Sequence, residues 1–203
     1  MILEGRVGPA TLQDGVLREI RIGRSGEQVV ADAHGRYHEA VVRGNVFIAA
    51  NSATQALSVN STTATGLILY NPAGSGRNVA LLDASVQIAS LPAAAYQLVW
   101  TGGVQTAAPT GLTALTVRNG FIGGAATGVG LAYSAATIAT ANILRVIPGG
   151  GAATMATSTA YTPFIRDEIS GLLILAPGQL ISLQALTTAV TVLASITWEE
   201  VPV

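Results

Sequence analysis

Few residues in this chain of 203 have the types and spacing to do chemistry together. His34 and His38, in "HGRYHE", lie four apart with Glu39 adjacent. On a helix they would share one face, as two imidazoles that grip a zinc ion do. A third ligand is lacking, the order is not that of a zinc protease motif, and the chain has only 2 histidines. They read as ordinary, partly exposed histidines. A cupin-like metal enzyme would need histidines on its strands, so no metal or other cofactor is expected.

"NPAGSGRN", residues 71–78, is the next candidate, because glycines between two apolar runs can cradle a phosphate. A phosphate-binding loop also needs a lysine, then a Ser or Thr, and a following helix. Here Arg77 and Asn78 stand at those positions, and "VALLDAS" reads as a strand. Asn, Pro and repeated Gly are what a tight strand connection requires. The expectation is a hairpin turn.

Nucleophilic catalysis has no better footing. No G-x-S-x-G occurs, and no histidine follows residue 38. Asp167-Glu168 and Glu199-Glu200 are adjacent carboxylates, which point to opposite faces of a strand and form no acid/base couple. Solvated rims, or partners for arginines of another subunit, are the expected roles. Trp100 and Trp198 each end an apolar run, which favours packing over stacking on a sugar. The chain is not expected to be an enzyme.

The elements that would position these residues are mostly strands. From residue 45 onward, short apolar or alternating runs ("TGLILY", "NVALLDASVQIA", "AYQLVW", "QLISLQAL") are separated by turn residues. That spacing predicts an all-β, antiparallel sandwich. In "TVLASITWEE", Val192, Ala194, Ile196 and Trp198 fall on one face, with Thr191, Ser195, Thr197 and Glu199 on the other. Pro177-Gly178 suits a type II turn, and "LLILAPGQLISLQAL" reads as the clearest hairpin. "DAHGRYHEAVVRG" predicts one short helix, with Asp32 as its N-cap and Gly44 at its end. Residues 1–44 are read as an N-terminal arm with this helix, and 45–203 as the sandwich.

Charge is scarce and unevenly placed. Charged residues make up 10% of the chain, against about 25% in ordinary domains. Six of the 10 cations, all arginines, lie at or before Arg43, whereas residues 44–164 carry only Arg77, Asp83, Arg118 and Arg145. Such a body needs a Ser/Thr/Asn-rich surface or cover from other subunits, so a homo-oligomer is expected. Within the arm, Ile20 and Ile22 alternate with Arg18, Arg21 and Arg24, the pattern of a strand added to a neighbour's sheet edge. These five are the expected partner-contact residues.

A formal net charge of −1 gives no general drive toward nucleic acid or anionic lipid. No run of about 18 apolar residues is available to span a membrane. The opening "MILEGRVGPATLQDG" lacks the layout of a secretory signal. With no cysteine, the expected place is the cytoplasm or a particle assembled there.

Three stretches, "GRSGEQVVADAHGRYHEAVVRGNVF", "LILYNPAGSGRNVALL" and the ending "APGQLISLQAL…SITWEEVPV", resemble tailed-bacteriophage virion proteins. The resemblance implies a structural protein of the virion, of the head decoration (cement) kind. With it come a jelly-roll sandwich, a homotrimer and the major capsid protein as partner. It carries over no catalytic or binding residue. A tail, baseplate or fibre-tip component binding a host glycan is the alternative.

Overall fold

A computed structural model describes residues 35–90, 94–148 and 164–203. The chain divides after Glu39, and the sandwich lies in the second unit, residues 40–203. A five-residue helix α1 (His38–Val42) is followed by β1 (Val46–Ala50), β2 (Gln55–Ala56), β3 (Thr63–Tyr70) and β4 (Arg77–Ser90). Then come β5 (Leu98–Gly103), β6 (Thr110–Ala114), β7 (Val117–Asn119), β8 (Leu131–Thr137) and β9 (Asn142–Ile147). The last four are β10 (Phe164–Glu168), β11 (Ile174–Leu175), β12 (Leu180–Ala185) and β13 (Thr191–Pro202). The expected helix is present but shorter than the sequence suggested. Residues 35–37 form a turn ahead of it, so it starts at His38 and is not capped by Asp32. Gly44 at φ +75 ends it, with Gly44 N–H donating to Val41 O and Asn45 N–H to Ala40 O. No helix among the described residues is long and apolar enough to cross a membrane.

Two antiparallel sheets pack face to face. The first runs β10-β4-β13-β1-β7 and the second β6-β8-β3-β12-β5-β9. The two-residue β11 and β2 pair at the margins of β4 and β13. With β6, β7 and β8 set aside as edge extensions, eight principal strands remain. Numbered in chain order, they stand 1-8-3-6 in one sheet and 2-7-4-5 in the other. That interleaving is a jelly roll, the architecture expected from the sequence.

Two expected hairpins are corrected by this topology. Residues 71–76 join β3 in the second sheet to β4 in the first, and Pro177-Gly178 lies between β11 in the first and β12 in the second. Both are turns, but neither joins paired strands. The Pro177-Gly178 turn has the expected type II features: Gly178 at φ +85, and Gln179 N–H donating to Ala176 O at 3.0 Å. Buried Asn71 ties the two crossings together. Its side-chain amide donates to Arg77 O at 2.7 Å and Leu175 O at 2.9 Å, and its backbone bonds to Gln179 and Gly178. Alternation along a strand says which face is apolar; it does not say which strand lies alongside.

The main core fills the space between the sheets, with Phe47, Leu81, Ile88, Trp100, Leu183 and Trp198 among its buried members. A second, smaller cluster joins Ala64, Ile68, Tyr70, Tyr133, Ala136, Ile138 and Leu180. It sits on the far side of the second sheet, because Ile68 and Leu180 alternate with the inward-facing Leu67, Leu69 and Ile181. All six residues of β12 are consequently buried. On that outer face Ser182 Oγ and Thr101 Oγ1 lie 2.7 Å apart, and the Gln184 amide exchanges two hydrogen bonds with the Ser61 backbone.

A bend in β3 accompanies this arrangement. Its register with β8 shifts between Thr65 and Ile68, and only Leu67–Tyr70 also pair with β12. Gly66 lies in the shift at φ +123, where a Cβ would collide with Leu57 Cδ2. Much of the chain's unusual apolar content is therefore buried within one copy.

Candidate functional site

Arg18, Ile20, Arg21, Ile22 and Arg24 lie outside the described residues, as does His34. His38 stands on α1, and no group of three His, Asp or Glu side chains among the described residues could hold a metal ion. The glycine loop closes on itself: Ser75 N–H donates to Pro72 O, Ser75 Oγ–H donates to Arg77 O, and a strand follows.

The two carboxylate pairs divide across their strands, but the expectation of solvated rims or intersubunit partners fails for one member of each. Asp167 is buried, accepting from Trp100 Nε1 at 2.9 Å and from Arg145 Nη2 at 2.8 Å. Glu200 is fully buried, with Oε1 accepting from Val129 N–H and Gly130 N–H, both at 2.9 Å, and from Trp198 Nε1 at 3.2 Å. Both tryptophans are core residues, as expected, and each spends its indole N–H on a buried carboxylate. The sequence carried a signal for this. Asp167 shares the parity of Ile165, and Glu200 continues the inward series Val192, Ala194, Ile196, Trp198.

The surface with most to offer a partner is the outer face of the first sheet. Paired residues form lateral rows across its strands. One row runs Glu168–Asp83–Thr197–Ile48–Arg118 from β10 to β7. Alongside it run Arg166–Ser85–Ser195–Ala50 and Phe164–Gln87–Leu193. All these side chains point away from the core and are exposed or half-exposed. Five strands spaced about 4.8 Å apart make the long row about 19 Å wide.

The two ends of this face differ. At the β10 end Phe164 is 63% exposed, and Arg166 Nε donates to both oxygens of Asp83 at 3.0 Å. At the β7 end a groove of about 450 Å³ is lined by Ile48, Ala50, Leu115, Arg118 and Ile122, among others. Ile122 at its rim is 83% exposed. Between the ends the rows hold Ser, Thr, Gln, Ala and Leu, with Glu199 farther along β13 on the same face. Sequence reasoning did not find this surface, because it exists only once β10, β4, β13, β1 and β7 are laid side by side.

Neither protein-family models, nor curated proteins, nor solved structures provide a match to this chain.

Proposed function

We propose that this chain is a structural subunit of a bacteriophage virion, a head decoration protein that bridges and stabilises major capsid subunits. The observation that carries this reading is the outer face of the first sheet. It is broad, nearly uncharged along its centre, and flanked by an exposed phenylalanine and an apolar groove. Burying such a face against a neighbouring subunit of the assembly yields stabilisation of roughly 25 cal/mol per Å² of apolar area and desolvates few charges, and leaves the contact with the capsid to the charged N-terminal segment. A jelly roll with that face is suited to mechanical work, and the resemblance to virion proteins points the same way.

Copy number in purified particles tests the reading. Quantitative mass spectrometry should find hundreds of copies per virion, as a head lattice requires. A handful would place the protein in the tail, baseplate or fibre tip. None at all would remove it from the particle and overturn the proposal.

A further inference from the structure

We propose that the outer face of the first sheet is the contact between copies of this chain, joined head to tail. Phe164 of one copy enters the groove of Ile48, Leu115 and Ile122 on the next. This rests on the reading of the chain as an assembling subunit and adds the surface by which it assembles.

Three observations select a second copy as the occupant. The first is which face is available. The middle of the second sheet is buried on both sides by the chain itself, whereas the first sheet keeps its outer face exposed or half-exposed. The second is charge. Along the long row Glu168 and Asp83 stand at the β10 end, with Asp83 paired to Arg166, and among the described residues lining the groove at the β7 end the charged one is Arg118. The long row therefore starts in carboxylates and finishes in a guanidinium, so placing copies end to end brings opposite charges together. The third is shape: the protruding apolar group is at one end and the concave apolar site at the other.

A contact between two different patches is heterologous. It propagates until a ring closes, and the two-fold pairing of one patch with itself does not satisfy it. The face should turn inward in a closed ring, in keeping with a trimer. Phe164 and Ile122 would act as anchors, with Ser85, Ser195 and Thr197 allowing close approach of flat surfaces.

Two exposed substitutions test this directly. Phe164→Asp spoils the protruding end but leaves the groove, and Ile122→Asp does the reverse. Each purified variant should be monomeric by light scattering while keeping the cooperative thermal unfolding of the wild type. Mixed in equal amounts, they should form a one-to-one dimer and nothing larger, since a single intact interface remains between them. That dimer also proves that both variants are folded. Arg118→Glu should weaken assembly at least tenfold, and adding Glu168→Arg to the same chain should restore most of it.

Variants that still form the wild-type oligomer would overturn the proposal, as would monomers that do not complement on mixing. A wild-type chain that is monomeric at micromolar concentration would overturn it too. Virion copy number would still decide the functional reading separately.

Discussion

Trp100 Nε1 donates to Asp167 Oδ2 at 2.9 Å, from β5 in one sheet to β10 in the other. Arg145 on β9 reaches the other oxygen of the same carboxylate. Strands β9 and β10 are the outermost on that side of the sandwich, each in its own sheet, so no backbone ladder links them. The carboxylate stitches the two sheets together where the jelly roll is open.

Removing the carboxylate leaves an indole N–H and a partly buried guanidinium without their acceptor. Asp167→Ala should lower the unfolding free energy by about 2–3 kcal/mol. That is less than the roughly 3–5 kcal/mol lost on breaking a fully buried pair, because Arg145 keeps 33% of its side chain exposed. Urea unfolding of the two proteins measures the difference. A change below about 0.5 kcal/mol would show that the stitch is ornamental.

Glu200 anchors the segment that leads into β8 through two backbone amides as well as an indole. Glu200→Ala orphans two buried donors, each worth about 1–3 kcal/mol when left unpaired, and the part-buried Val129 N–H, and should be among the most damaging single changes in the sandwich. Gly130→Ala attacks the same contact from the other side, since its Cβ would stand 3.0 Å from Trp198 Nε1 and 3.3 Å from Glu200 Oε1. Near-ultraviolet circular dichroism should register both changes as a loss of Trp198 ordering. An unaltered spectrum and midpoint would contradict the anchor.

These two sites show how far the sequence could be read. Parity along "FIRDE" and "TVLASITWEE" suffices to put Asp167 and Glu200 on inward faces, against the expectation of solvated rims or intersubunit partners. Apart from Trp198, two residues from Glu200, their partners come from β5, β9 and the loop at 129–130, tens of residues away, and no local pattern encodes them. The Pro177-Gly178 turn was legible because φ > 0 at one position is a local demand that glycine meets. Its role as a crossing between sheets was not, because pairing in a jelly roll joins strands far apart in sequence. Nor was the second core, for a β12 buried on both faces reads as an apolar run interrupted by Ser182 and Gln184. The charge-poor body suggested cover by other subunits, and the fold supplies part of that cover itself.

Tyr96 gives a pH-dependent test. Its hydroxyl is buried without a hydrogen-bond partner, and burial raises its pKa above the ordinary 10.0. Burial raises that of Tyr133 as well, with Tyr70 adding to the effect. A raised pKa means that the folded state keeps the proton after the unfolded chain has lost it. The associated stability is complete below pH 10 and is lost as pH rises through the folded value. Tyr96→Phe should be neutral or stabilising by up to about 1 kcal/mol at pH 8, because no bond is broken. Between pH 10 and 11 its urea midpoint should fall less steeply than the wild type's. Parallel slopes would mean that Tyr96 does not titrate with unfolding.

Attachment should separate from stability at the N-terminus. The described residues from Val46 onward form a continuous hydrophobic core among themselves. Residues 1–31 instead concentrate charge, with Arg18, Arg21 and Arg24 around Ile20 and Ile22, a pattern suited to adding a strand to a neighbour's sheet edge. On the proposed reading as a capsid decoration protein, arginine forks would add bidentate contacts to acidic groups of the capsid. Deleting residues 1–31 should leave the Tm of the purified protein within about 2 °C. Binding to particles stripped of the protein should fall at least tenfold, and raising salt should weaken the intact chain, because exposed ion pairs are screened over roughly 10 Å at 0.1 M. A truncated protein that decorates stripped particles at full occupancy would move attachment onto the sandwich and end the case for the arm.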